Sequence, residues 1–174
     1  MARLFIAVNF DENTRGRLVS LRDELRNKSA RGNFTNSENL HLTLIFLGEC
    51  DERQAAAAKA SLCAAFEPFE IVVERVGRFK RGGGELWWAG LRENPQLDVL
   101  RHGLFDRLSA SGFAPDTRAF SPHITIGREV VTDAKPWAIE PFGETVKSVE
   151  LMKSERIGGK LVYTAIASNI SSES

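Results

Sequence analysis

The stretch His41-Leu42-Thr43-Leu44-Ile45-Phe46-Leu47-Gly48 decides both the fold and the chemistry. Its first four residues are repeated in pattern 82 positions later as His123-Ile124-Thr125-Ile126. Both stretches are short and β-prone, which predicts two strands. Side chains at i and i+2 of a strand project from the same face, so each histidine shares a polar face with a threonine while the intervening apolar residues face a core. The chain has three histidines in all, and two of them stand in this repeated pattern.

Hydrophobic periodicity and turn residues extend this pair of strands into the order β-α-β-α-β-β-α-β-β-β. A short strand near Phe34 is also compatible with the sequence, whereas Pro136 and Pro141 are expected to break the stretch that follows the predicted strand at 123–127. Helices mixed with strands joined by tight turns predict an α+β fold with largely antiparallel pairing. The predicted strands cover residues 4–10, 41–47, 70–79, 86–91, 123–127, 146–156 and 161–170, and the predicted helices cover residues 11–27, 51–66 and 95–111.

Composition narrows the class of protein. The formal net charge is +0, which argues against wrapping of long nucleic acid but allows a local basic cleft. No apolar run approaches the roughly 18 residues that a membrane helix needs, so we expect no membrane contact. Cys50 and Cys63 lie outside any metal-ligand spacing and suit a reducing compartment, so we expect a cytoplasmic protein. Residues 1–170 are expected to form a single domain and residues 171–174 a flexible tail.

The two polar faces, if brought together, suit hydrolysis of a phosphate ester. Imidazole has an ordinary pKa of about 6.5 and can donate or accept a proton near neutral pH. The hydroxyls of Thr43 and Thr125 can donate to phosphoryl oxygens, and Arg128, just beyond Gly127, can supply a permanent cation. A rival hypothesis makes the histidines metal ligands, but no Asp, Glu or Cys stands beside either motif.

The extended motifs resemble a known family. His41-x-Thr43-x-x-Phe46 followed by Leu47-Gly48, and Pro122-His123-x-Thr125-x-x-Arg128, are similar to the paired motifs of the two-histidine (2H) phosphoesterases. The opening residues 3–7, the spacing between the motifs and the chain length resemble the RNA 2',3'-cyclic phosphodiesterase branch, whose members are also called 2'-5' RNA ligase-like.

This resemblance implies a bilobal fold with two similar halves, each with an antiparallel sheet and flanking helices, around a central cleft. It implies hydrolysis of RNA 2',3'-cyclic phosphate ends to 2'-phosphate without a metal or cofactor, with His41 as proton donor and His123 as proton acceptor. It also implies that Thr43, Thr125 and Arg128 bind the phosphate and Phe46 stacks on the terminal base. Expected partners are RNA with such an end, tRNA fragments among the candidates, and the expected state is a monomer. The alternative is a 2'-5' RNA ligase or RNA-binding module with incidental hydrolysis.

Two features stay open at the level of sequence. Strict alternation places Phe46 on the face opposite His41, so stacking on a base requires a bulge near Ile45, and a plain core phenylalanine is the alternative. Strict alternation likewise places Arg128 on the face opposite His123, and Gly127 makes a local irregularity of the strand easier at that point. The basic residues between positions 75 and 81, followed by Trp87 and Trp88, could guide an RNA end, but a solvated hairpin with core tryptophans is the favoured interpretation. His102 is given no role.

Overall fold

The computed structural model describes residues 1–117 and 120–172. Within them the backbone forms nine strands, three α-helices and one 3₁₀ turn at Ser37–Asn39. The strands are β1 (Ala2–Val8), β2 (Ser29–Phe34), β3 (Leu42–Cys50), β4 (Phe69–Arg81), β5 (Gly84–Leu91), β6 (His123–Thr132), β7 (Trp137–Val146), β8 (Ser148–Ile157) and β9 (Lys160–Ile170). The helices are α1 (Glu12–Asn27), α2 (Glu52–Ser61) and α3 (Pro95–Ala110).

The strands form two sheets. One has the order β3-β1-β8-β9, and the other has the order β2-β6-β5-β4-β7. All of their pairings are antiparallel, so the predicted α+β class with antiparallel pairing is confirmed. The two motif strands belong to different sheets, and β3 contacts β6 where the sheets meet.

Each helix begins at a side-chain cap. Asp11 accepts a hydrogen bond from the Thr14 N–H at 2.8 Å and starts α1. Asp51 starts α2 through a reciprocal pair of bonds with Gln54. Asn94 caps α3, with a proline at its first turn. Leucines at helical spacing are buried: Leu18, Leu21 and Leu25 on α1, and Leu97, Leu100, Leu104 and Leu108 on α3.

The helices cover one face of each sheet and leave the other faces to form the site. Helix α1 contacts β2, β6 and β7 of the five-stranded sheet, whereas α2 and α3 contact each other and β3 of the four-stranded sheet. The apolar residues of both motif strands join the main core. Because alternate residues point to opposite faces, the polar residues of the same strands are directed away from these helices.

Several boundary predictions were wrong. Strand β6 runs to Thr132 rather than ending at Gly127. Residues 137–146 form β7, an edge strand, although two prolines were expected to break this stretch. Pro141 is tolerated because an edge strand lacks a neighbour on one side and because the pairing with β4 is irregular between Ala138 and Phe142. Strand β2 begins at Ser29, well before Phe34. Helix α2 ends at Ser61 rather than near residue 66, because the chain then turns toward β4.

The first two residues of the expected flexible tail are hydrogen-bonded to the rest of the chain. Ser171 is buried and its N–H donates to the Lys147 carbonyl, and the N–H of Ser172 donates to the Phe66 carbonyl. These bonds hold the first two tail residues against the end of β7 and the loop before β4. Residues 173–174 lie outside the described part of the chain.

Candidate active site

The two motif histidines are held in the same way by the backbone that precedes them. His41 lies directly before β3, and its Nδ1 is 2.7 Å from the carbonyl oxygen of Asn39. His123 is the first residue of β6, and its Nδ1 is 2.8 Å from the carbonyl oxygen of Ser121. A carbonyl oxygen can only accept, so each Nδ1 carries a proton. Each ring therefore keeps its Nε2 for proton transfer.

The threonines share the polar face of the histidines, as predicted. The Oγ1 of Thr43 lies 2.8 Å from Nε2 of His41. Thr125 is half-buried two residues after His123. The flanking apolar side chains of both motifs are buried in the core: Leu42, Leu44, Ile124 and Ile126. The sequence pattern therefore gives the correct faces for the first four residues of each motif.

A bulge in β3 returns Phe46 to the face of the histidine. The pairing with β1 skips one residue between Thr43 and Ile45, so that Leu44 is the bulged position. Leu44 and Ile45 are consecutive buried residues, and the side chain of Phe46 is then 49% exposed. It lines a cavity of about 350 Å³ together with Thr43 and His123. The bulge that stacking required is present, and the alternative of a core phenylalanine is wrong.

Strand β6 has a bulge at the equivalent position. Its pairing with β5 skips one residue between Thr125 and Gly127, so that Ile126 is the bulged position. Ile126 and Gly127 are both buried, and the following Arg128 is exposed. The two strands thus carry the same irregularity at the same distance from their histidines. In each, the bulge changes the face of the residue five positions after the histidine.

Electrostatic interactions connect the two motifs at one site. Burial lowers the pKa of His41, the hydrogen bond to the Asn39 carbonyl opposes this, and electrostatic interactions with Arg128 and His123 lower the pKa further. Arg128 and His123 are therefore close enough to act on His41 although they belong to the other sheet. The residues predicted from the two distant motifs lie together.

Two aromatic rings that the sequence reasoning missed hold His41. The ring centroid of Phe5 is 4.9 Å from that of His41, and Tyr163 is 5.1 Å away at an interplanar angle of 89°. Burial raises the pKa of the Tyr163 phenol, and nearby arginines, Arg128 first, oppose this. Phe5 lies in a strand that reads as wholly apolar, so only its position beside β3 identifies it. Tyr163 is the single tyrosine of the chain, which is a weak signal.

Comparison with known proteins fits this geometry. The family model of the 2'-5' RNA ligase superfamily matches residues 10–157. The chain belongs to this superfamily. The RNA 2',3'-cyclic phosphodiesterase of Archaeoglobus fulgidus is 35% identical over 150 residues, with 82% of this chain and 84% of that protein covered. The enzyme of the same name from Methanothermobacter thermautotrophicus is 31% identical, with 93% of this chain and 95% of that protein covered.

A solved member of the superfamily has the same architecture. The crystal structure of Escherichia coli LigT complexed with 3'-AMP superimposes with a TM-score of 0.86 at 26% identity and covers 99% of both chains. The predicted family and the α+β fold of two antiparallel sheets are therefore confirmed. In this chain Thr43, Phe46 and His123 line one cavity, His41 contacts Thr43, and Arg128 is close enough to His41 to act on it electrostatically.

Among residues 1–117 and 120–172, no group of three or more His, Cys, Asp or Glu side chains is arranged to hold a metal ion. In the same part of the chain, no helix is long and apolar enough to cross a bilayer. Cys50 is buried at the end of β3 and Cys63 is exposed after α2, and both are free.

Proposed function

We propose that this chain hydrolyses the 2',3'-cyclic phosphate at the end of an RNA and leaves a 2'-phosphate. One observation carries the proposal: two imidazoles on different sheets have their Nδ1 atoms fixed by backbone carbonyls, so that Nε2 is the nitrogen of each ring that can transfer a proton, and an arginine lies close to His41. The names of the relatives from A. fulgidus and M. thermautotrophicus support the choice of substrate.

In the proposed reaction, Nε2 of His123 accepts a proton from a water molecule whose oxygen attacks the phosphorus atom. The bond between phosphorus and O3' breaks, and Nε2 of His41 donates the proton that O3' needs. The products are a 2'-phosphate and a 3'-hydroxyl, and the two imidazoles have exchanged protonation states. Each proton transfer of this kind contributes about 10²–10⁴-fold to the rate.

The remaining motif residues act on the phosphate and the base. Thr43 and Thr125 donate hydrogen bonds to non-bridging oxygens, and the guanidinium of Arg128 opposes the negative charge that builds in the transition state. Phe46, which is half exposed beside this cavity, stacks on the terminal base. These roles follow from position and chemistry, because each side chain shares the face of a histidine.

The lowered pKa of His41 fits the role of proton donor. A depressed pKa makes the imidazolium a stronger acid, which favours transfer to the departing alkoxide. The bound phosphodiester brings a negative charge next to the ring and raises its pKa, so that substrate binding itself favours the protonated form. Substrate binding therefore raises the fraction of His41 that is protonated.

A second candidate function uses the same groups. If the 5'-hydroxyl of another RNA replaces the water, the same proton transfers join the two RNAs through a 2'-5' linkage. The name of the superfamily supports this alternative. A third candidate, a module that binds RNA without chemistry, predicts that the cyclic end stays unchanged.

The test is to incubate the protein with a short oligonucleotide that ends in a 2',3'-cyclic phosphate and to identify the product by mass spectrometry and sensitivity to phosphatase. We expect a 2'-phosphate, the same rate with and without EDTA, and loss of the product in His41→Ala and His123→Ala. Loss of turnover in EDTA with recovery on added zinc would instead favour the metal-ligand hypothesis. An intact cyclic end would contradict the proposal.

We also propose RNA fragments, tRNA halves among them, as the partners, the cytoplasm as the compartment and a monomer as the working state. The two free cysteines support the compartment. Cell fractionation and light scattering of the purified protein test the last two.

A further inference from the structure

The β4–β5 hairpin sorts its side chains between the cleft and the opposite face. Gly77 pairs with Trp88, and Trp88 pairs with Thr125 of the second motif, so these residues share the cleft face. Alternation places Arg81 on this face as well, whereas Lys80 points to the other side. The basic residues between positions 75 and 81 are therefore divided between the two faces of the sheet, and some of them face the cleft.

The indole of Trp88 occupies the space over Gly77 and Gly90, which have no side chains. A Cβ added at Gly77 would overlap the indole, and one added at Gly90 would lie 2.8 Å from its Cζ3. The preceding Trp87 is completely buried in the core, whereas Trp88 is only partly buried. The ring centroid of Trp88 is 6.4 Å from that of His123. The favoured sequence interpretation is thus correct for Trp87 and wrong for Trp88.

Phe79 and Arg81 continue the surface from Trp88. The ring of Phe79 is 5.3 Å from Trp88 and 5.3 Å from His123. The guanidinium of Arg81 lies 5.7 Å from the Phe79 ring. In residues 1–117 and 120–172 Arg81 forms no ion pair. Arg81 also lines a cavity of about 390 Å³ together with Arg128, the proposed phosphate-binding residue.

We propose that this surface, made of Phe79, Trp88 and Arg81, is a second nucleotide subsite. The base next to the terminal nucleotide stacks on the aromatic rings, and its phosphate binds Arg81. An aromatic face accepts any base, and a guanidinium binds phosphate without reading sequence, so the subsite selects an RNA chain over a free cyclic mononucleotide. This inference rests on the proposed function, because it extends the same cleft by one nucleotide.

The first test compares two substrates, a dinucleotide with a 2',3'-cyclic phosphate end and the matching cyclic mononucleotide. Stacking of one base is worth roughly 5- to 150-fold in binding, so the wild-type kcat/KM for the dinucleotide should exceed that for the mononucleotide by about this factor. Trp88→Leu should reduce the ratio to about one. Any effect of the substitution on His123 cancels in the ratio of the two kcat/KM values, because both substrates use the same chemical step.

Trp137→Phe is the matched aromatic control. Trp137 pairs with Val76, on the face opposite Trp88, and packs against Trp87 and the core. This variant should keep the wild-type ratio between the two substrates. A Trp88→Leu protein that keeps the full ratio would overturn the assignment of Trp88.

The second test removes the charge. Arg81→Gln should weaken the salt dependence of the dinucleotide reaction, lowering the slope of log kcat/KM against log salt by about 0.7, the value of one phosphate contact on a single strand. The same charge change in Lys80→Gln, on the other face of the same strand, should leave the slope unchanged. Equal effects of both substitutions would contradict a contact with Arg81.

The outcomes separate this subsite from the proposed function. If neither substrate is hydrolysed, the proposed function fails. If both are hydrolysed with equal kcat/KM by the wild-type protein, the function stands and the second subsite does not exist.

Discussion

Arg128→Gln separates the electrostatic role of this arginine from any structural role. Arg128 is exposed on β6, and in the described residues it forms no ion pair. Exposed substitutions of this kind usually change the free energy of unfolding by no more than about 0.5 kcal/mol. We therefore expect the variant to unfold at nearly the same urea concentration as the wild-type protein.

Its activity should fall far more than its stability. Hydrogen bonds to a charged group are worth about 1.5–3 kcal/mol, which corresponds to a loss of about 10- to 150-fold in kcat/KM if the guanidinium binds the transition state. The pKa of His41 should rise in the same variant, because the positive charge of Arg128 lowers it in the wild-type protein. For this single substitution we therefore expect a large fall in kcat/KM, a rise in the pKa of His41, and almost no change in the free energy of unfolding.

Three measurements check these expectations: kcat/KM on a cyclic-phosphate dinucleotide, urea unfolding, and an NMR titration in which His41→Asn assigns the ring signals of His41. Arg53→Gln, the same charge change at an exposed position of α2, is the control and should alter none of them. The reasoning is refuted if Arg128→Gln keeps full activity, if the loss of activity follows a comparable loss of stability, or if the pKa of His41 does not rise.

Three further predictions concern the histidines and Phe46. His41→Asn and His123→Asn should each lower kcat by about 10²–10⁴-fold, and the double variant should lose much less than the product of the two factors, because the residues act as a unit; a fully multiplicative loss in steady-state kinetics would argue against a shared step. Phe46→Ala should raise KM by roughly 5- to 150-fold with a smaller change in kcat, as expected for lost base stacking, and an unchanged KM would count against that role. The folded state lowers the pKa of His41, so the unfolded chain binds more protons than the folded chain as the pH falls below about 6.5. The free energy of unfolding therefore decreases as the pH falls through this range. Urea unfolding at about pH 7.5 and about pH 5 should show a smaller loss for His41→Asn than for the wild-type protein, and an equal loss would contradict the assigned shift.

Most of the secondary structure was predictable because it is encoded locally. Asp11, Asp51 and Asn94 cap their helices with side chains that are visible in the sequence. Strand β7 was not predictable, because Pro141 is acceptable only at the edge of a sheet, and the order of strands is not a local property.

Strand alternation predicted the site up to the fourth residue of each motif, whereas Phe46 and Arg128 were predicted only from the resemblance to the 2H phosphoesterases. Strict alternation gives the correct face for His41 and Thr43, but it gives the wrong face for Phe46 and Arg128. The bulges at Leu44 and Ile126 belong to the pairing with β1 and β5, respectively. A bulge is a property of two strands together, so neither sequence stretch shows it alone.

The amino-acid sequence by itself determined the kind of chemistry, because two His-x-Thr pairs in strands can place imidazole and hydroxyl groups on one face each. Only the tertiary structure decided that these faces meet, since β3 and β6 belong to different sheets whose contact depends on the packing of the whole core. It also decided which aromatic and basic residues of the hairpin reach the cleft. Periodicity fixes relative orientation within a strand, whereas long-range pairing fixes where that strand lies.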